Sequence, residues 1–209
     1  FFSKYSTEGY VLEILNARKA VALNPGLRKK KLLGVLKSNT EAIIDPREGL
    51  NLFPFYLRER FKVDFEWETC ALHIEKKSVF TSKGETLKAD KIYLCNGADF
   101  ETLFPDIFLQ AGITRCKSQM IKIKKQPGNW KMGPVLNTGI SLPHYASFAS
   151  CNSLSKLKKA HESLFPKHLK NGLNVAVVQM ADGSINIGRS QEFAWSPEPF
   201  DNMGTDELM

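Results

Sequence analysis

The stretch ADKIYLCNG at residues 89–97 carries a run of apolar residues into a turn at Gly97. It follows a predicted hairpin centred on Lys83 and Gly84. A glycine at the end of a strand lets bare backbone approach a ligand, because no Cβ stands in the way. We therefore interpret residues 89–97 as a strand whose glycine end can approach a ligand closely. The alternative interpretation of Gly97 is a plain strand-ending turn.

Short strands and helices alternate on both sides of this stretch. Before it, the pattern predicts a helix at 7–23, a buried strand at 42–44, a helix from Pro46 to about residue 60 that Pro54 kinks or breaks, and strands at 61–67 and 71–74. After it, the pattern predicts a strand at 117–125, a strand within 139–150, a helix at 153–165 and a hairpin around Asp182 and Gly183. This order predicts an α+β (mixed α/β) fold with two sheets.

The composition narrows the classes of partner. The chain has 209 residues and a net charge of +7, and its basic residues cluster at 28–31, 117–125 and 156–170. No nucleic-acid-binding motif accompanies this charge, so we predict no nucleic-acid partner and interpret the clusters as solvated faces. Attraction of an anionic metabolite is the alternative. No apolar run approaches the ~20 residues that cross a bilayer, so no membrane partner is expected.

The four cysteines argue against a metal or redox motif. Cys70, Cys95, Cys116 and Cys151 are widely spread, and no pair has CxxC spacing. Three of them have apolar or small neighbours, which predicts reduced, buried thiols in a cytoplasmic protein. The histidines also lack ligand-like spacing, so no metal site is predicted.

Several segments together carry a resemblance to a known family. They are IDPR (44–47), WETCA (67–71), TSKGE (81–85), ADKI (89–92), CNGADF (95–100), RCKSQM (115–120), PHYASF (143–148) and IGRSQE (187–192). In order and spacing the chain resembles FAD-dependent oxidoreductases of the D-amino-acid oxidase superfamily. The last three segments resemble a bacterial branch associated with phosphonate catabolism. The resemblance implies that residues 45–111 form part of an FAD-binding Rossmann-like domain. It implies that 1–44 and 112–195 form an antiparallel substrate-binding domain and that 196–209 are an irregular tail.

The resemblance also implies which residues meet the cofactor. Backbone groups of Cys70 and Ala71 would pass the adenosine part of FAD. Asn96, Gly97 and Ala98 would pass close to the dinucleotide.

Four further residues are candidates to face the substrate in the second domain. His144 and Arg189 suit an anion, Tyr145 suits a carboxylate or phosphonate, and Gln119 lies in a segment that carries the resemblance. The alternatives are a structural histidine, a packing aromatic ring and an arginine that points to solvent. Arg189 also departs from the family pattern, which has an acidic residue near this position.

The function that the resemblance implies is oxidation of the amine of a small anionic amino compound, an amino acid or aminophosphonate, to an imine. FAD carries the redox chemistry, so no side-chain nucleophile is needed. The glycine-rich dinucleotide motif is missing from the 209 residues, so we expect a fragment that is inactive alone. The alternative is a non-catalytic ligand-binding or interaction module with a basic surface.

Overall fold

The structure, a computed structural model, describes residues 9–209 and confirms a mixed α+β fold. Its helices are α1 (Ala17–Leu23), α2 (Pro46–Phe61), α3 (Pro105–Gln110), α4 (Leu154–Leu164), α5 (Pro166–Lys170) and α6 (Met203–Asp206), with 3₁₀ segments at Gly139–His144 and Ala146–Phe148. Its strands are β1 (Leu12–Leu15), β2 (Val35–Ser38), β3 (Ala71–Glu75), β4 (Ser78–Thr81), β5 (Thr86–Lys88), β6 (Arg115–Lys117), β7 (Ile121–Ile123), β8 (Leu136–Asn137), β9 (Ala176–Gln179), β10 (Ile185–Gly188) and β11 (Glu192–Ala194). Among the described residues, no helix has the length and apolar character needed to span a bilayer.

The chain divides into two compact units. The smaller is Pro46–Arg115 with Phe193–Pro197. The larger contains Cys116–Glu192, Glu198–Met209 and the described part of Phe1–Asp45. The sequence-based boundaries at 45 and 111 lie close to these limits, whereas the segment predicted as a tail differs. Residues 198–209 belong to the larger unit, because the Gln119 side chain hydrogen-bonds Asn202 and Asp206.

The larger unit is built on an antiparallel sheet with the strand order β7-β10-β9-β8. The central β9–β10 hairpin turns at Asp182 and Gly183, as predicted, and pairs Ile185 with Gln179. On the other side of β10, Ile187 pairs with Ile121. β1 and β2 form a separate antiparallel pair in the same unit. The sheet therefore places the segments around residues 119 and 189 on neighbouring strands.

The end of α1 is joined to a distant loop in the core of the larger unit. The buried Asn24 side chain donates to the Pro134 carbonyl at 2.7 Å and accepts from the Gly26 amide at 2.9 Å. Met132, which is 1% exposed, lies in the same loop. Gly133 has φ +84°, and a Cβ there would lie 2.5 Å from the Leu23 carbonyl oxygen. Only glycine allows this approach without displacing backbone.

The smaller unit has a sheet of three strands, β3-β4-β5, joined by tight turns. The predicted hairpin around Lys83 and Gly84 is confirmed as β4–β5, with Val79 opposite Leu87. Helix α2 begins at the predicted Pro46 and continues through Pro54 without a break. Its large apolar side chains are mostly exposed, and none of its residues is buried.

The prediction of a strand at 89–97 is wrong. Residues 91–96 have no partner strand in the described part of the chain, and residues 97–98 form a turn. Tyr93 is 81% exposed and Leu94 is 38% exposed. An apolar run becomes a strand only where a neighbour satisfies its backbone groups, and this sheet ends at β5.

Other predicted elements also differ from the structure. The predicted helix at 7–23 is instead strand β1 followed by α1. β1 pairs with β2, and the Asn16 side chain caps the start of α1 by accepting from the Lys19 amide. Residues 7–8 lie outside the described chain. Residues 42–44 are irregular and exposed, 61–67 form no strand, and 139–150 form 3₁₀ turns around Pro143. Short apolar runs such as these do not distinguish a strand from a turn.

Candidate functional site

Gln119 is buried and binds the C-terminal segment with its whole amide. Its Nε2 donates to the Asn202 carbonyl at 2.9 Å and to Asp206 Oδ1 at 2.6 Å. Its Oε1 accepts from the Asn202 amide at 2.8 Å. The backbone of Gln119 is paired with Ser190 in both directions, at 3.1 Å each. The side chain that was predicted to face substrate therefore makes its hydrogen bonds inside the protein.

Arg189 lies beside Gln119, one residue before its partner Ser190. Its backbone is fixed by two hydrogen bonds with Asn174, of 2.7 and 2.8 Å. The side chain is exposed, and its guanidinium has no ion-pair partner in the described chain. A fixed backbone and an exposed guanidinium suit an anionic ligand just beyond the end of β10.

His144 and Tyr145 are adjacent on the surface of the larger unit. His144 ends the first 3₁₀ segment, and Tyr145 links it to the second, where its ring meets Phe148 edge-on at 6.5 Å. Both side chains are exposed, and Tyr145 is 45% exposed. The turn arises because Pro143 removes one backbone donor and favours a tight bend. Both polar ends are therefore accessible to a ligand from solvent.

Cys70 and Ala71 lie at the start of β3. The backbone of Cys70 makes two hydrogen bonds with Ser82. The Cys70 amide donates to Ser82 Oγ at 3.0 Å, and the Cys70 carbonyl accepts from the Ser82 amide at 2.8 Å. Ala71 is the ladder partner of Thr81. The backbone groups that the resemblance assigns to adenosine at Cys70 are thus used within the sheet, while the Cys70 thiol is exposed.

Asn96, Gly97 and Ala98 form an open turn. The Asn96 side chain donates to the Asp99 carbonyl, and the Asp99 amide returns a bond to the Asn96 carbonyl. Gly97 has φ +61°, and no atom lies within 4 Å of the position a Cβ would take. Its backbone is therefore bare toward solvent, which fits the close approach expected of one wall of a dinucleotide site.

Sequence reasoning gave no role to Arg115, which holds this turn in place. Its Nε donates to the Ala98 carbonyl at 2.9 Å, and its Nη1 donates to the Trp195 carbonyl at 2.6 Å. Its Nη2 contacts both carboxylate oxygens of Glu101, at 2.8 and 2.6 Å, and the guanidinium lies 4.7 Å from the Phe100 ring centroid. The hydrogen bond from Arg115 holds the pKa of Glu101 below its usual value. No local sequence signal joins residues so far apart.

The cysteines are unpaired, but the prediction that they are buried is wrong. Cys70, Cys95 and Cys116 are exposed and Cys151 is half-buried. Short strands and turns leave these positions outside the small cores of the two units. Within residues 9–209, no three His, Cys, Asp or Glu side chains are grouped as metal ligands.

Comparison with family models, with curated proteins and with solved structures finds no match for this chain.

Proposed function

We propose that this chain is part of an FAD-dependent oxidoreductase that oxidises the amine of a small anionic amino compound to an imine. The observation that carries the proposal is the open turn at Gly97. Its backbone is bare and its position is held by the Arg115 hydrogen bonds to the Ala98 carbonyl and to Glu101. A rigid glycine turn that follows a β-hairpin suits close contact with a dinucleotide.

The exposed apolar side chains of the smaller unit support a second part of the proposal. We propose that polypeptide other than these 209 residues completes the cofactor site. Helix α2 buries none of its residues, and Leu50, Phe55 and Phe61 are each more than 60% exposed. Large apolar side chains exposed together on one helix mark surface that packs against something else.

In the reaction we propose, FAD supplies the oxidising chemistry when it is bound. The chain's own residues bind and orient the substrate. The Arg189 guanidinium offers paired donors for a carboxylate or phosphonate, and the exposed imidazole of His144 offers a further hydrogen-bonding group for such an anion. Gln119 acts indirectly, because it holds the C-terminal segment beside the strand that carries Arg189.

A cytoplasmic location is part of the same proposal. Exposed free thiols at Cys70, Cys95 and Cys116 are stable in a reducing compartment and form disulfides in an oxidising one.

The test is the flavin content and the amine-oxidising activity of the natural full-length protein. We expect bound FAD after purification and turnover on small amino acids or aminophosphonates. Arg189→Ala should raise KM for the anionic substrate at least tenfold. Arg18→Ala, which removes an exposed arginine from α1 in the same unit, should leave KM unchanged.

A full-length protein that carries no flavin and oxidises no amine would refute the proposal and favour a non-catalytic module. If the protein is active but both arginine variants have the same KM, the function stands and Arg189 has no role in substrate binding. The isolated 209-residue chain should bind FAD weakly, so sub-micromolar stoichiometric binding would contradict the incomplete-site part of the proposal.

A further inference from the structure

An apolar pocket of about 360 Å³ lies within the larger unit, and neither Gln119 nor Arg189 lines it. Its walls come from β1 and β2 on one side and from the start of α4 on the other, with the two 3₁₀ segments between them. Ile14 and Leu36 belong to the strands, Leu142 to the first 3₁₀ segment, and Leu154 and Leu157 to α4. This volume is in the range of small-molecule sites.

The pocket walls are fixed by backbone contacts. Val35 pairs with Leu15 in the β1–β2 ladder, and a Cβ on Gly34 would lie 3.1 Å from the Leu15 carbonyl oxygen. A side chain at position 34 would therefore crowd the Leu15 carbonyl, and the glycine adds no side chain to this wall of the pocket. On the other side, the Cys151 amide donates to the Phe148 carbonyl at 2.9 Å, and the Leu154 amide donates to the Cys151 carbonyl at 2.9 Å. Both walls are thus held by hydrogen bonds within the chain.

The lining decides which chemical class fits. None of the described lining residues is charged, and the polar side chains among them are the Cys151 thiol and the Ser153 hydroxyl. An ion would lose its hydration here without gaining a partner charge. An uncharged ring or short alkyl chain would bury apolar surface on both the strand wall and the α4 wall.

We propose that this pocket is a second ligand site, which binds a small uncharged apolar molecule between Leu36 and Leu157 with Cys151 at one side. The proposal does not rest on the flavin function, because the lining includes none of the residues proposed to meet cofactor or substrate; Phe148, whose ring meets Tyr145, is the point at which the two regions adjoin. Leu154 and Leu157 lie three residues apart and so share one face of α4. From sequence alone, such a face is interpreted as part of an ordinary core.

The test uses the thiols as reporters in the intact chain. Indole and 1-hexanol serve as probes, and the rate of alkylation by N-ethylmaleimide is followed for each cysteine by peptide mass spectrometry. We expect either probe to slow alkylation of Cys151 at least threefold. Cys70, Cys95 and Cys116 are exposed elsewhere and should react at unchanged rates.

Two variants separate filling of the pocket from a general change in the protein. Leu157→Trp fills the pocket, so it should slow Cys151 alkylation without a probe and abolish the probe effect. Leu164→Trp, on the same helix at a position that is 68% exposed, should behave as the unmodified chain. Val35→Phe fills the pocket from β2 and replaces Leu157→Trp if that variant loses its circular dichroism spectrum. Failure of both probes to protect Cys151, or equal slowing of all four thiols, would overturn the proposal.

Discussion

Replacing Gln119 by leucine should release the C-terminal segment without unfolding the larger unit. The leucine side chain has a similar length and is apolar, so it keeps much of the volume and removes the amide. Three hydrogen bonds disappear, to the Asn202 carbonyl, the Asn202 amide and the Asp206 carboxylate. The rest of the β7–β10 ladder does not depend on this side chain.

The magnitude follows from those three bonds. A neutral hydrogen bond contributes about 1 kcal/mol net, and one to a carboxylate contributes about 2 kcal/mol. The sum is an upper bound of about 4 kcal/mol, because Asn202 is exposed and its freed groups regain water. We therefore expect the opening free energy of the segment to fall by about 2 to 3 kcal/mol, which is roughly a 30- to 150-fold change in its opening equilibrium.

Hydrogen exchange measures this opening directly. In α6 the amides of Glu207 and Met209 donate to Met203 and Asp206, so both should exchange faster in Gln119→Leu. The matched control is Gln126→Leu, because the Gln126 amide bonds only the nearby Lys124 carbonyl among the described residues. Unchanged protection at 207 and 209 in Gln119→Leu would refute the role assigned to Gln119, and equal loss in both variants would show that the effect is not specific.

Two further predictions concern the smaller unit and the core of the larger one. Because a hydrogen bond from Arg115 lowers the pKa of Glu101 below 4.5, this pair stabilises the fold above that pH, and the contribution is lost as pH falls through the lower folded-state value. The urea midpoint of the smaller unit should therefore fall with acid, and Arg115→Gln should flatten the profile; an unchanged slope would contradict the pairing. Gly133→Ala should lower the melting temperature more than Gly128→Ala, since both glycines have positive φ but only Gly133 approaches a carbonyl oxygen. The left-handed backbone costs each variant about 1 to 2 kcal/mol, and overpacking adds about 1 to 3 kcal/mol at Gly133 alone; equal melting temperatures would rule out the close approach.

Prediction from sequence succeeded where a local rule decides the conformation. The β9–β10 and β4–β5 hairpins follow from their glycine-containing turns, and α4 lies within the predicted 153–165. It failed where the conformation depends on pairing with a distant strand. Residues 89–97 have strand-like composition but no neighbouring strand, and Leu12–Leu15 became a strand because β2 lies beside it.

The candidate site divides in the same way. The turn at Gly97 is predicted from its residue type and is present in the structure, whereas His144 and Tyr145 lie in 3₁₀ turns within a segment that was predicted to contain a strand. The hydrogen bonds of Gln119 and of Arg115 join residues that are far apart in the sequence. The pocket beside Cys151 is likewise lined by segments that are far apart in the sequence. No periodicity or spacing rule reports such contacts.

The sequence by itself determined the α+β class, the hairpin turns, the start of α2 at Pro46 and the lack of a long apolar run. These depend on the conformational preferences of glycine, proline and capping side chains, which act over a few residues. Tertiary structure alone decided that Gln119 binds the C-terminal segment, that Gly97 is held in an open turn by Arg115, and that residues 89–97 lack a strand partner. The physical reason is that hydrogen bonds and burial between distant segments depend on which surfaces the fold brings together.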